Sequence, residues 1–340
     1  MGWFNFFTQE IAIDLGTANT LIIHKDQVVV DEPSIIAIER STGKVIAIGH
    51  EAMQMFGKEN DNIKTIRPLK DGVIADFHAA EHMIRGMIKK INKSGKSYSQ
   101  IRMVICIPSG ITEVEKRAVK DSADRAGGKE IYMIHEPMAA AVGIGIDVTE
   151  PMGNMVIDIG GGTSEIAVIA LGGIVCDQSI RTAGDEFNMD ISEYMKRQHN
   201  LLCGERTAEK IKINVGSALT ELDNPPEDYA VYGRDLMTGI PKQVFVSYSE
   251  IALALDKSLV KLEEAILKAL ENTPPELAAD IYQTGIHLTG GGALLRGLDK
   301  RLSAKTKLPV HVAEDPLRAV VRGTGIALKN IGKFKFLMTN

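Results

Sequence analysis

This chain is poor in cysteine, in aromatic residues and in charge of one sign, and each shortage excludes something. Its three cysteines, Cys106, Cys176 and Cys203, are scattered and odd in number. They offer neither a disulfide framework nor a metal-ligand spacing, and they fit a reducing cytosol. The formal net charge of −5 provides no basic surface for nucleic acid. No apolar run approaches the roughly 18 residues of a spanning helix. The N-terminal residues lack the basic region and long apolar core of a secretory signal. What remains is a globular composition, 44% hydrophobic and 24% charged, in 340 residues, long enough for two domains with sizeable cores.

The scarce aromatics are unevenly spent. Trp3, Phe4, Phe6 and Phe7 include the single tryptophan of a chain that is 5% aromatic. A helix of that length reaches only about 10 Å and cannot cross a bilayer. It can lie in the interface, where Trp and Phe are favoured. The competing expectation is that the rings pack on the body or on another subunit.

The most informative stretch runs from Met155 to Val168. An apolar run reads as a buried strand ending at Asp158, followed by Gly160, Gly161 and Gly162, then Thr163 and Ser164, then a second apolar strand. Glycines let backbone N–H groups approach an anion closely, and a strand-end aspartate can hold a hydrated Mg²⁺. Read alone, the stretch is also compatible with an ordinary hairpin. It recurs, however, as Asp14, Gly16, Thr17, Ala18, Asn19 and Thr20 between two apolar strands. Aligning Asp14 with Asp158 puts Gly16 on Gly160 and Ile22 on Ile166. Two such units suggest two similar halves clasping a polyphosphate between them.

Further elements fall into place around these hairpins. The segment 34–65 reads as a small β-rich insertion, and 66–72 as a loop. Ala79–Asn92 and a segment capped by Thr112 and Glu115 read as helices. Lys93–Gln100 reads as a polar loop. Pro137 and the alanine run after it predict a closely packed helix. Glu136 then stands at a strand–helix junction, on the edge where α/β folds bind ligands. There it can orient or deprotonate a water; by itself it would be a carboxylate stabilised by the helix dipole. Glu209, Lys210 and Lys212 share the predicted helix Thr207–Val215, with Glu209 and Lys212 one turn apart. They can meet a ribose and a base, or simply pair with each other. Ser249 is the expected cap of a long helix to Asn272. Gly290, Gly291, Gly292 and Ala293 form a third glycine-rich turn, against which a flat ring can lie. Pro316–Asn330 is expected as one helix returning to the first half.

These motifs, in this order, resemble the superfamily of actin, sugar kinases and heat-shock chaperones. More specifically, IAIDLGTANTLI at 11–22, DEPSIIAI at 31–38, IRPLKDGVIADF at 66–77, TAEKIK at 207–212, PPELAADI at 274–281 and AEDPLRAV at 313–320 resemble the MreB family of bacterial actins. The resemblance spans about Ile11 to Asn330. It implies an α/β, actin-like fold of two RNase-H-like lobes with ATP in the cleft between them. Lobe I would be 1–148, with an insertion at about 34–65 and the C-terminal 316–340 returning to it. Lobe II would be 149–315, with an insertion at about 181–243. Carried over residue by residue, it implies that Asp14 positions Mg²⁺ through water. Gly16 through Thr20 would meet the phosphates from one side, and Gly160 through Thr163 from the other. Glu136 would orient the attacking water with help from Thr163, with Asp158 in the same catalytic group. Glu209, Lys210 and Lys212 would touch the adenosine, and Gly290–Gly292 with Ala293 would line its pocket.

The family further implies paired, antiparallel protofilaments of the protein with itself. These would lie on the inner face of the cytoplasmic membrane and scaffold cell-wall synthesis with membrane-bound shape and wall proteins. Trp3, Phe4, Phe6 and Phe7 would anchor them, each contact weak and the filament's sum firm. A small-molecule kinase of the same superfamily is the chief alternative, though no further carboxylate motif announces a phosphoryl acceptor site. A chaperone ATPase would carry a substrate domain after the nucleotide domain, and the short stretch after Leu302 leaves no room for one.

Overall fold

The computed structural model describes residues 8–91 and 100–339. Trp3, Phe4, Phe6 and Phe7 lie outside the described residues, as does most of the expected loop 93–100.

Two mixed sheets carry the architecture. In the first, the strand order is Met338–Thr339, Gly128–His135, Gln100–Ile107, Thr8–Leu15, Asn19–His24, Gln27–Pro33. Gln100–Ile107 pairs in parallel with both Thr8–Leu15 and Gly128–His135. In the second, the order is Gly173–Ile180, Ser164–Ala170, Asn154–Ile159, Ile286–Thr289, Val310–Val312. Here Ile286–Thr289 lies parallel to both its neighbours. Parallel neighbours need long crossovers, and helices supply them. Phe77–Ile91 and Glu113–Arg125 cover one face of the first sheet. Gly184–His199 and Tyr248–Glu271 cover one face of the second.

The other faces of the two sheets meet a shared core. Ala12, Val104 and Ile134 from the first sheet and Val156, Ala167 and Ile169 from the second join the helices Glu136–Gly143 and Ala319–Lys329. The central strands are therefore buried on both faces, which is why they read as unbroken apolar runs. The two helices cross in backbone contact. A Cβ on Gly143 would lie 1.9 Å from the Ala319 carbonyl oxygen, and one on Gly323 would lie 1.7 Å from that of Ala139. No larger residue fits at this crossing, and the alanine run beside it has the same cause.

Two smaller sheets are appended. Ile36–Glu39, Val45–Ile48 and Ile63–Ile66 form one, with its own core of Ile35, Ala37, Ala47 and Ala52. A short helix, His50–Met55, completes it. Leu201–Leu202, Tyr229–Asp235 and Pro241–Val246 form the other.

Several local expectations are corrected. Within the expected loop 66–72, Leu69–Lys70 pairs with Val73–Ile74. Ser247, not Ser249, caps the long helix: its hydroxyl accepts from the Glu250 N–H while the Glu250 carboxylate accepts from the Ser247 N–H, a reciprocal box. The expected helix Pro316–Asn330 begins as a 3₁₀ turn, Pro316–Arg318, before Ala319–Lys329. In the tail, Phe334 and Leu337 are buried in the shared core while Phe336 is 59% exposed. Among the described residues no helix is long and apolar enough to cross a membrane.

Candidate functional site

The repeated hairpins have the same register. In the first, Ile13 faces Ile22 and Asp14 faces Leu21. In the second, Ile157 faces Ile166 and Asp158 faces Glu165. Each aspartate thus closes a strand of a different sheet, just before a tight turn.

The two turns touch. A Cβ on Gly161 would lie 2.7 Å from the Ala18 Cβ, and one on Gly162 would lie 2.6 Å from Thr17 Oγ1 and 2.9 Å from the Asp71 nitrogen. Thr17 Oγ1 accepts from the Gly72 N–H at 2.9 Å, so the 66–72 segment joins the same cluster. The Gly160 N–H closes its own turn on the Thr163 carbonyl at 2.9 Å. Thr20 stands apart from this surface. Its side chain is fully buried and bonded to Ser34, which also donates to the Gly16 carbonyl at 2.6 Å. Thr20 braces the first turn from beneath, while Asn19 is exposed.

Four carboxylates converge at the strand ends. Burial pushes Asp14 up to about 6, opposed by a hydrogen bond from Cys106 Sγ at 3.1 Å. Burial, then the charge of Asp14, pushes Asp158 up to about 7, against a 2.9 Å bond donated by Thr289 Oγ1. Glu136, buried at the N-terminus of its helix, is raised well above the carboxylate range by burial and then by Glu165, Asp158 and Asp14. Glu165 is fully buried and accepts from the Ser109 N–H, the Ser109 hydroxyl and the Ser179 hydroxyl at 3.1, 2.5 and 2.7 Å.

Mutual repulsion of this kind fits a cation, and oxygen donors fit a hard one. Among the described residues no three acidic, His or Cys side chains are placed to ligate one ion directly. Asp14 and Asp158 are the oxygen donors that could hold such an ion.

A second cluster flanks the second turn. The helix Gly184–His199 begins against it: the Gly184 and Asp185 N–H groups donate to the Gly160 and Gly161 carbonyls at 3.1 and 2.8 Å. Lys212 Nζ donates to the Gly184 carbonyl at 3.0 Å and to Glu209 at 2.7 Å. Asn188 also donates to Glu209, at 2.7 Å, and its buried Oδ1 has no partner among the described residues. A polar group buried in this way needs a water or a ligand atom to complete it. Lys210 is exposed and does not share this cluster.

The third turn reaches the same place from the other side. Gly290 has φ +78°, and a Cβ there would lie 2.7 Å from Asp158 Oδ1 and 2.4 Å from the Ile159 carbonyl. A Cβ on Gly292 would lie 2.2 Å from Ile159 Cγ2. These two glycines seat the turn on the Asp158 strand, Gly291 is exposed, and Ala293 is buried.

The sequence reading missed Glu165, Thr289, Cys106 and Asn188. Glu165 had a signal: seven residues beyond Asp158, hairpin register alone sets it opposite that aspartate. Thr289 ends a strand parallel to the Asp158 strand. Cys106 and Asn188 carried none. Two surface hollows of about 620 and 230 Å³ lie away from this cluster.

Known proteins resemble this chain in sequence and fold. Residues 8–336 match the MreB/Mbl protein family. Cell shape-determining protein Mbl of Bacillus subtilis is 48% identical over 328 residues, covering 96% of this chain and 98% of that protein. Cell shape-determining protein MreB of Escherichia coli is 47% identical over 330 residues, covering 96% and 94%. The structure of MreB 5 of Spiroplasma citri bound to AMPPNP superposes with a TM-score of 0.91 at 38% identity, covering 96% and 97%. The chain belongs to the MreB/Mbl family of actin-like, cell shape-determining proteins.

Proposed function

We propose that this protein binds ATP with magnesium between its two hairpins, hydrolyses it slowly, and couples hydrolysis to assembly into filaments. Those filaments lie on the inner face of the cytoplasmic membrane and, with membrane-bound shape and wall proteins, organise cell-wall synthesis. The observation that carries this reading is the convergence of Asp14, Glu136, Asp158 and Glu165 between two turns of identical register. The Spiroplasma citri relative, 38% identical, has solved structures bound to AMPPNP and to ADP.

In this reading the chain divides at about residue 148. Residues 1–148 with 316–340 form one lobe and 149–315 the other. Pairing of Met338 with Ile134 supports the return of the C-terminus to the first lobe. Gly161 and Gly162 present backbone N–H groups to the phosphates from one turn, and Thr17, Ala18 and Asn19 meet them from the other. Magnesium, when bound, neutralises phosphate charge and draws electron density from the transferring phosphoryl group. Asp14 holds its water shell, with Asp158 alongside. Glu136 aligns a water through its carboxylate and accepts the water's proton there. The Thr163 hydroxyl orients the same water. Asn188, Glu209 and Lys212 hold the adenosine, with Gly290–Gly292 as its floor.

The identity to cell shape-determining proteins favours this reading over a small-molecule kinase. The test is phosphate release from ATP with no acceptor but water, followed together with light scattering. Magnesium-dependent release with rising scatter is expected. Turnover only on addition of an organic acceptor, without assembly, would return the kinase.

A further inference from the structure

A hollow of about 230 Å³, lined by both apolar and polar residues, opens where three segments meet. Gly143 and Ile146 come from the end of the Glu136–Gly143 helix and the turn beyond it. His287 and His311 come from the second sheet, and Glu314 and Arg322 from the chain leading into and along the Ala319–Lys329 helix. None of its lining residues belongs to the hairpin turns or the acid cluster.

His287 and His311 are direct partners on neighbouring parallel strands, with ring centroids 5.6 Å apart and planes inclined at 36°. The next residue in that row, Val156, is buried in the core between the sheets. An apolar row thus turns polar at this one place. Burial and the neighbouring His311 hold His287 below the ordinary histidine range, so that ring stays neutral more readily than a free one. Arg322 adds a permanent cation. Its Nε is buried and has no hydrogen-bond partner among the described residues. The guanidinium as a whole lines the hollow, and its planar fork of donors suits an oxygen anion. Among the described residues no group of three His, Cys, Asp or Glu side chains is placed to hold a metal ion. One guanidinium and two imidazoles stand against the single carboxylate of Glu314.

We propose that this cavity binds a small dissolved oxyanion bearing a carboxylate or phosphate group, held by the Arg322 guanidinium and by ring N–H groups of His287 and His311. The site goes beyond the nucleotide reading and does not rest on it. Its occupant would touch both helices that cross between the sheets, and the first of these begins at Glu136.

The test is a titration of the full chain, carrying ¹⁵N-labelled histidine and saturated with ADP, with inorganic phosphate and separately with acetate. Sodium chloride at matched ionic strength is the control. Saturable shifts of the His287 and His311 ring signals, assigned through H287Q and H311Q, are expected with at least one of the two anions. The dissociation constant should rise about tenfold or more in R322Q, the scale of one charge-assisted hydrogen bond. H311Q replaces an exposed side chain and should also weaken binding, which keeps the test open if R322Q does not fold. No shift with either anion, the same shift with chloride, or unchanged affinity in both variants would overturn the site. Ring shifts that follow protein concentration rather than added anion would assign the cavity to a second copy and overturn it equally.

Discussion

Glu165 and Ser109 tie the two sheets together. Glu165 stands in a strand of the second sheet, and Ser109 lies two residues beyond the end of Gln100–Ile107 in the first. One carboxylate oxygen accepts both the N–H and the hydroxyl of Ser109, at 3.1 and 2.5 Å. The other accepts the Ser179 hydroxyl at 2.7 Å. A charged acceptor with three donors is well satisfied despite full burial. The bond joins the two sheets beside the acid cluster.

Glu165→Ala leaves these donors without an acceptor, and its expected cost is about 1–3 kcal/mol of folding stability. Urea unfolding of nucleotide-free protein measures it. Wild-type stability in the variant would show that the tie contributes nothing.

Glu136→Gln keeps the size of the side chain and removes the carboxylate. Nucleotide binding should be retained, and phosphate release should fall by about 100-fold or more, the usual scale for a lost general base. Single-turnover hydrolysis with a parallel binding titration separates the two effects. Unchanged turnover would remove Glu136 from the mechanism.

Asp158 gives a pH signature. Its folded value is raised from 3.8 to about 7. Across that window the folded chain binds more protons than the unfolded chain, so stability from this group falls as pH rises, and the penalty is complete above the folded value. Asp158→Asn removes the titration. Without nucleotide and with chelator present, its melting temperature should exceed that of the wild type by a margin that grows from about pH 5 to about pH 8. A margin independent of pH would contradict the burial argument.

The hairpins were legible because their chemistry is local. An apolar strand, an aspartate and a glycine turn within about ten residues fix a register, and Asp14 and Asp158 fall where that register places them. Glu136 was legible for the same reason, since Pro137 marks its helix start. Contacts made across long sequence separations were not. Cys106 reaches Asp14 over 92 positions and Thr289 reaches Asp158 over 131. Nothing in either neighbourhood announces them. Ser249 has the residue type of a cap, but Ser247 has Glu250 three residues on, and that reciprocal box starts the helix earlier. Gly290 and Gly292 read as a ring-binding surface, and their missing side chains also make room for Ile159 and Asp158. The same pattern serves packing and binding, and only the fold tells them apart.

Residues 2–7 carry the expected lipid anchor. Deleting them should release the protein from anionic liposomes in co-sedimentation while ATP-dependent assembly persists. Continued lipid binding would turn attention to the tail, and there to Phe336, which is exposed, rather than to Phe334, which is buried.

The central claim is nucleotide-driven assembly on a membrane. Electron microscopy of the purified protein on a lipid monolayer, with magnesium and ATP against a nucleotide-free control, tests it most directly. The account predicts paired filaments lying on lipid that appear only with nucleotide. Dispersed single molecules under both conditions, across a range of salt and protein concentration, would contradict it.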